Sequence, residues 1–437
     1  KKAGNKLLLV QPNLKYRANT DNALEQKSIA QAFATSVLFG FNILAEKDGV
    51  YTIDFTSFLL EDTHGVSQRL KGKKEGSYSV DKSKSALALE RTKAFINNVE
   101  FEALLTFKGQ PTGRNLRSVA PTASLVSVTQ HHSFVKLPDD NYKPRVFDTR
   151  SGAISMSYLD YAVPIQEDIN KRFVIRHRLE KKNPNAAVSK AKAPIIYYLD
   201  PGTPEPVRTA LLEGARWWNE AYEAIGFTDA FQVKMLPNDA DPMDCRYNVI
   251  QWVHRSTRGW SYGGSVVDPR TGEIIKGHVS LGSLRIRQDF MIAQALMNKP
   301  FADRDDNYQP MLDLALARIR QLSVHEVGHT IGFAHNFASS TNNRASVMDY
   351  PHPKIELKNG IIDFSNAYAI GVGEWDKVTV AYSYSEFDKT INEKEELQKI
   401  LKEATKSGLR FITDADARAT GGAHALAHLW DNGKSAA

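Results

Sequence analysis

Cysteine is almost absent from this chain of 437 residues, since Cys245 is the single one. One cysteine cannot form an internal disulfide bond, which excludes a small domain held together by a disulfide framework. The cysteine content does not identify the cellular compartment, because it fits both a protein of the reducing cytosol and an exported enzyme that avoids thiols. The composition, with 42% hydrophobic and 24% charged residues, excludes fibrous and disordered proteins. The length suggests two or three domains, each with its own core.

Long apolar runs are also missing. No stretch reaches the roughly 18 apolar residues that a membrane-spanning helix needs, and the longest candidate, residues 32–45, is interrupted by polar side chains. The formal net charge of +6 comes without any nucleic-acid-binding motif. We therefore predict no transmembrane segment and no nucleic-acid partner. The first residues show neither an initiator methionine nor a signal-peptide pattern, and we expect a piece of a longer precursor that is truncated at its C-terminal end.

The N-terminal part of the chain shows the pattern of a β-rich domain. Hydrophobic and polar residues alternate in short runs that turn residues separate. These runs lie at residues 50–55, 101–107, 125–129 and 154–158. A polar and charged stretch at residues 181–193 is typical of a linker. The sequence therefore predicts a β-rich domain of unknown role over residues 1–180.

The character of the sequence changes after this stretch. Residues 195–199 form an apolar strand, and apolar residues between Val207 and Ile225 recur every three or four positions, as on one face of a helix that Gly226 ends. We interpret further segments as a loop at 260–264, a strand at 276–281 and a second long helix at 311–324. This order of elements predicts an α/β (α+β) domain over residues 194–437.

The second helix leads into the sequence His-Glu-Val-Gly-His-Thr-Ile-Gly-Phe-Ala-His at residues 325–335. His325 and His329 are four residues apart, so on a helix both imidazoles leave the same face about one turn apart. That spacing lets two nitrogens bind one tetrahedral zinc ion. Glu326 lies beside the first histidine, where its carboxylate is the natural general base for a water molecule at the metal.

A glycine follows the second histidine at a fixed distance. Gly332 tolerates the left-handed backbone conformation that stops a helix and turns the chain sharply. Such a turn would bring His335 round as the third ligand. Three protein ligands leave a fourth position for water, which is the arrangement of catalytic zinc sites.

The complete pattern HExxHxxGxxH resembles the zinc signature of the metzincin metalloproteases. Members of that group also have a Met-turn downstream, and the sequence Ser-Val-Met-Asp-Tyr at residues 346–350 is similar to it. The resemblance implies that the side chain of Met348 forms an apolar surface beneath the three histidines. It also implies that Tyr350 corresponds to the tyrosine that astacins and serralysins place near zinc, where it can hydrogen-bond the oxyanion. Asn336 departs from the astacin pattern, which has an acidic residue, so the salt bridge of astacins is not carried over.

Further segments resemble a bacterial family of large zinc-dependent metalloproteases. These segments lie at residues 194–202, 214–219, 268–273, 373–376 and 430–433, with weaker similarity upstream. The resemblance implies an exported protein whose catalytic domain follows a β-rich domain of unknown function. It also implies that residues 276–281 form the edge strand above the cleft, along which an extended peptide pairs by β-augmentation. Gly263 and Gly264 would let a backbone approach closely.

We therefore predict a zinc metalloendopeptidase with one catalytic Zn²⁺ and a protein or peptide substrate. Two alternatives stay open: a zinc amidase or deacetylase that acts on glycan or peptidoglycan, and an inactive binding module with a protease fold. The intact Glu326 argues against the binding module. His424 and His428 are again four apart, but they lack a third ligand and receive no metal role. His131 and His132, adjacent on a strand, point to opposite faces.

Overall fold

The computed structural model describes residues 1–256, 259–297, 301, 304 and 306–433. The chain divides into two compact units. The first comprises Lys1–Leu137, Tyr158–Lys171 and Met243–Cys245, and the second comprises Pro138–Ser157, Arg172–Pro242 and the described residues from Arg246 onward. Within the described ranges, no helix is long and apolar enough to cross a bilayer.

The division between the units differs from the predicted boundary at residue 180. Residues 138–157 and 172–180, which the sequence places in the N-terminal domain, belong to the second unit, and so does the stretch 181–193. The reason is visible at Arg145, whose buried guanidinium donates hydrogen bonds to the carbonyl oxygens of Tyr382 (2.6 Å) and Ser385 (2.8 Å). Such contacts over more than 230 residues leave no local signal in the sequence.

The first unit is built mainly from antiparallel strands. One sheet has the strand order β1-β2-β4-β5, and another has the order β10-β9-β6 with β7 and β8 also paired to β9. Their bounds are β1 (Lys2–Ala3), β2 (Lys6–Gln11), β3 (Tyr16–Arg17), β4 (Ser36–Lys47), β5 (Val50–Ile53), β6 (Gly76–Val80), β7 (Ala86–Leu87), β8 (Lys93–Ala94), β9 (Asn98–Pro111) and β10 (Leu125–Val135). Four short helices accompany them: α1 (Ala23–Ala32), α2 (Thr56–Leu59), α3 (Val66–Gly72) and α4 (Arg114–Val119). The β-rich character predicted for the N-terminal region is confirmed.

Two strands follow, β11 (Ser155–Asp160) and β12 (Asn170–Val174), and β11 pairs in parallel with β3. The strands of the second unit are β13 (Ser189–Lys190), β14 (Ile195–Leu199), β15 (Phe227–Thr228), β16 (Phe231–Met235), β17 (Asn248–Val253), β18 (Tyr262–Val267), β19 (Ile274–Gly282), β20 (Glu356–Lys358) and β21 (Ile361–Asp363). Its helices are α5 (Val207–Arg216), α6 (Trp218–Glu223), α7 (Leu284–Leu296), α8 (Gln309–Thr330), α9 (Glu374–Tyr384), α10 (Glu393–Lys406) and α11 (Asp414–Ala417). The unit therefore combines strands and helices, as predicted.

The main sheet of the second unit has the strand order β16-β14-β17-β19-β18. Its first four strands run parallel, and β18 is antiparallel to β19. The prediction that residues 276–281 form the edge strand is wrong, because β19 lies between β17 and β18. The edge strand is β18, and its first residues, 262–264, lie in the segment 260–264 that the sequence predicts as a loop. Gly263 is required there by space, since a Cβ atom would lie 2.1 Å from the carbonyl oxygen of Glu326.

Helix α8 packs closely against α5 and α6. A Cβ atom on Gly214 would lie 2.1 Å from the carbonyl oxygen of Arg320, so only glycine lets the two backbones approach this far. Trp218 is fully buried and donates its indole N–H to the carbonyl oxygen of Val324 at 2.8 Å. A well-packed buried tryptophan contributes about 3–5 kcal/mol to stability. This packing holds the C-terminal half of α8 in place.

Candidate metal centre

The last two turns of α8 carry the first two histidines of the predicted site. His325 and His329 have ring centroids 4.8 Å apart and rings almost perpendicular. They share one face of the helix, as the spacing of four residues predicts. His325 is buried and His329 is half-buried.

Gly332 directs the chain back toward these two residues. Helix α8 ends at Thr330, and Gly332 has a φ angle of +103°, a conformation that side-chain-bearing residues avoid. A Cβ atom there would also lie 2.0 Å from the carbonyl oxygen of Ile175. The turn brings His335 to the pair, with its ring centroid 4.6 Å from that of His329.

The three imidazoles present their Nε2 atoms to one another. Each Nδ1 atom faces a hydrogen-bond acceptor: the Val347 carbonyl for His325 (2.8 Å), the Phe333 carbonyl for His329 (2.8 Å) and an Asp414 carboxylate oxygen for His335 (2.6 Å). An acceptor requires a donor, so Nδ1 carries the proton in each ring and Nε2 keeps a lone pair.

These lone pairs fit a metal ion. The Nε2 atoms of His329 and His335 are 3.1 Å apart, close to the separation of about 3.3 Å that 2.0–2.1 Å bonds from a tetrahedral zinc ion would give. The Nε2 atom of His325 is buried and has no hydrogen-bond partner. Two lone pairs that face each other repel unless a cation lies between them. Within the described ranges, this is the one group of three or more His, Cys, Asp or Glu side chains placed to hold a metal ion.

The surroundings keep the histidines neutral, which metal binding requires. Burial lowers the pKa of His325 well below its ordinary range, and the neighbouring His329 and His335 lower it further. Burial and His335 also lower the pKa of His329, to about 4.

Glu326 lies beside this group in a water-poor environment. Burial raises the pKa of its carboxyl group to about 7, and the positive charge of Arg318 and the backbone N–H of Gly263 partly offset this rise. The charge of a metal ion nearby would favour the ionised form. A carboxylate with a pKa near neutrality is suited to accept and return a proton.

Met348 lies directly against α8 between the two helical histidines. A Cβ atom on Gly328 would lie 2.3 Å from the sulfur of Met348, so this glycine makes room for the methionine. The turn at residues 346–350 is held by Asp376, whose carboxylate accepts hydrogen bonds from Ser346 Oγ (2.6 Å) and from the backbone N–H of Val347 (2.8 Å). Asp376 thereby also positions the carbonyl oxygen of Val347, which accepts the hydrogen bond from Nδ1 of His325.

Tyr350 packs against the histidines from the same turn. Its ring centroid lies 5.1 Å from that of His325 and 4.7 Å from that of His335. On its other side the indole of Trp430 stacks on it at 5.5 Å with an interplanar angle of 13°. The ring is half-buried, and burial raises the pKa of its hydroxyl group.

The structure thus brings together all seven residues that the sequence singled out for the site. They are His325, Glu326, His329, Gly332, His335, Met348 and Tyr350. The other candidates lie apart from them. His424 and His428 are exposed and hydrogen-bond to their own local backbone. His131 contacts Glu100 (2.6 Å), whereas His132 lies near Gln130.

The sequence assigned no role at the site to three residues that contribute to it. Asp414 binds His335, Asp376 holds the methionine turn, and Asn336 uses its side-chain amide to bind the carbonyl oxygen of Arg410 (2.9 Å) and to accept the backbone N–H of Ile412 (3.2 Å). Asn336 therefore fixes the segment that carries Asp414. Its place after the third histidine is structural in this chain.

Two family models match parts of the chain. A model described as Met-zincin matches residues 307–437, a range that contains α8, the three histidines and the turn at 346–350. A model described as a domain of unknown function (DUF5117) matches residues 1–182. No curated protein matches the chain. The Met-zincin match and the three-histidine cluster together indicate a metzincin-like, metallopeptidase-type domain whose site is compatible with zinc, and it follows a β-rich region.

Proposed function

We propose that the chain is a zinc-dependent metalloendopeptidase in which His325, His329 and His335 hold one zinc ion and Glu326 is the general base. The observation that carries this proposal is the convergence of three Nε2 lone pairs whose Nδ1 atoms are all engaged elsewhere. When bound, zinc supplies a Lewis acid that polarises a peptide carbonyl and makes a water molecule more acidic. In this proposal α8 is the active-site helix and residues 346–350 form the Met-turn.

The proton steps of hydrolysis belong to Glu326. Its carboxylate takes the proton of the attacking water and passes it to the amine that leaves when the peptide bond breaks. The buried surroundings that raise its pKa help both transfers, because the group can release the proton as readily as it accepts it. The ring of Tyr350 packs against those of His325 and His335, and its hydroxyl group is the proposed donor to the oxyanion of the transition state.

The edge strand β18 is the proposed support for an extended substrate. It pairs with β19 on one side, so its other edge presents backbone N–H and C=O groups to a peptide. Gly263 of this strand faces Glu326, which places that edge beside the proposed base. A peptide that adds to β18 as a further strand would thus pass the histidine cluster, and the binding role predicted for residues 276–281 moves to residues 262–267.

The experiment is digestion of unmodified casein with the product masses read out. We expect cleavage at internal peptide bonds, loss of cleavage on chelation and recovery when zinc is added. Full activity after metal analysis shows no zinc would refute the proposal. Hydrolysis of an acetylated glycan or peptidoglycan without casein cleavage would identify an amidase or deacetylase. Zinc binding with no hydrolysis would identify a binding module. Export stays a prediction from the resemblance.

A further inference from the structure

A cavity with several polar groups in its lining lies beside the turn at residues 346–350. Its volume is about 300 Å³, and its lining includes Gln321, Ser340, Asp349 and Asp431. None of the three histidines lines it, so it is separate from the proposed zinc site. The charged and polar groups of this cavity have no role in the proposed catalysis.

Three buried oxygen atoms of this cavity have no hydrogen-bond partner. They are Oε1 of Gln321, Oγ of Ser340 and Oδ1 of Asp431. Gln321 and Ser340 are each only 5% exposed, and a buried acceptor without a partner costs about 1–3 kcal/mol. The amide nitrogen of Gln321 donates to the carbonyl oxygen of Val347 at 3.3 Å, which leaves its oxygen atom for the cavity.

Two carboxylates of this cavity form no salt bridge within the described ranges. Asp349 is 4% exposed, and within the described chain neither Asp349 nor Asp431 forms a salt bridge with a basic side chain. Burial raises the pKa of Asp349 to about 6, and the negative charge of Asp431 contributes to the rise. Arg344 also lines the cavity, but its guanidinium donates to Asn366 Oδ1 (3.2 Å) and to the Asn366 carbonyl (2.8 Å). The hydroxyl group of Ser339 and the backbone N–H of Tyr350 donate to Asp349, and the charge of His428 acts on Asp431. Two neighbouring acids thus share this space without a Lys or Arg ion pair among the described residues.

We propose that this cavity binds a hard divalent cation, and specifically Ca²⁺, through Asp349, Asp431, Gln321 and Ser340. All four donors are oxygen atoms, two of them carboxylates, and Ca²⁺ takes six to eight oxygen ligands that include waters. Zinc prefers nitrogen and sulfur donors, so the histidine cluster and this cavity would select different ions. The ion would satisfy the unpartnered oxygens and neutralise both acids at once.

The position of this site suggests what the cation does. Asp349 precedes Tyr350, and Asp431 follows Trp430, whose backbone N–H donates to the carbonyl oxygen of Tyr350 at 2.9 Å. An ion shared by the two aspartates would hold Trp430 stacked on Tyr350 and so order one wall of the histidine site. This consequence rests on the proposed peptidase function, whereas cation binding itself does not.

The test is a titration of the whole chain, supplied with one equivalent of zinc, with Ca²⁺ by calorimetry and with Tb³⁺ by luminescence. Tb³⁺ takes the oxygen sites of Ca²⁺, and Trp430 and Tyr350 are close enough to sensitise its emission. We expect one Tb³⁺ per chain, displaced by Ca²⁺. The variant Asp431→Asn should weaken both ions at least about 10-fold, since ligand charge sets the affinity of such sites.

Glu374→Gln is the matched control. Glu374 lines the same cavity, but its side chain is 71% exposed and pairs with Lys377, so the variant should bind Ca²⁺ with nearly unchanged affinity. Asp349→Asn disturbs hydrogen bonds to Ser339 and Tyr350 and can unfold the turn. Asp431→Asn removes the charge of a carboxylate that also interacts with the Ser340 side chain, and the amide oxygen can still accept from Ser340, so it is the decisive variant. No saturable Ca²⁺ binding by the unchanged chain, or equal affinity in Asp431→Asn, overturns the proposal. Zinc content and casein cleavage of the unchanged chain test the peptidase separately, because neither measurement depends on whether Asp431→Asn loses Ca²⁺.

Discussion

The Nδ1 atom of His335 lies 2.6 Å from the Oδ2 atom of Asp414, 79 positions further along the chain. A carboxylate bound to the outer nitrogen of a metal-binding histidine fixes its tautomer and increases the basicity of the inner nitrogen. Arg418 contacts the other oxygen of Asp414 at 3.2 Å and orients this carboxylate. The segment after α10 is therefore part of the candidate metal centre, although Asp414 belongs to no zinc motif in the sequence.

Asp414→Asn should lower zinc affinity about 10- to 100-fold, the usual effect of removing such a partner. The amide can still accept a hydrogen bond, so the fold should persist while the charge is lost. Competition with a zinc-binding dye measures the change. Asp416→Asn is the matched control, because Asp416 lies on the same short helix and binds only the backbone of Thr413. Equal zinc affinity in both variants would show that Asp414 does not support His335.

Tyr350→Phe should lower kcat about 100-fold with little change in KM, which is the pattern for a donor used mainly in the transition state. The phenyl ring keeps the stacking on Trp430 and the contacts with the histidines, so zinc content should not change. Kinetics at saturating zinc provide the measurement. An unchanged kcat would limit Tyr350 to packing. His335→Ala is the contrasting variant, because it should weaken zinc binding itself.

Gly332→Ala should destabilise the second unit by about 3 kcal/mol or more, because a positive φ costs about 1–3 kcal/mol and the new Cβ atom meets the carbonyl oxygen of Ile175. It should also lower zinc content by displacing His335. Gly360→Ala is the control, since Gly360 has a φ of +79° but no atom within 4 Å of a built Cβ. All six tryptophans lie in the second unit, so tryptophan fluorescence during urea unfolding reports on it. Equal losses in the two variants would contradict the close fit at Gly332.

The sequence predicts those features of the site that depend on local geometry. A spacing of four residues brings His325 and His329 to one helix face wherever the helix lies. Gly332 indicates the turn that leads to His335. The helix predicted between Val207 and Ile225 also forms, although it divides into α5 and α6 around Trp217. These features follow from the α-helical period of about 3.6 residues and from the conformational freedom of the glycine backbone. Both effects are determined by a few neighbouring residues.

Other features depend on contacts that are distant in sequence. The first residues of strand β18 lie in the predicted loop 260–264, since glycine is uncommon in strands. Gly263 is required at this position by its close fit against the carbonyl oxygen of Glu326. The Thr413–Asp416 capping box indicates a helix start but not that Asp414 reaches His335. The two compact units divide at residues other than 180 for the same reason, since Arg145 is fixed by residues more than 230 positions away.

The most direct test of the account combines two measurements on Glu326→Gln. Glutamine keeps the size of the side chain and leaves all three histidines in place, so metal analysis should find about one zinc per chain, as in the unchanged protein. Casein hydrolysis should fall by several orders of magnitude, on the order of 10³-fold or more, because one carboxylate both orients and deprotonates the water. Near-normal hydrolysis with zinc retained would contradict the assignment of Glu326 as the general base.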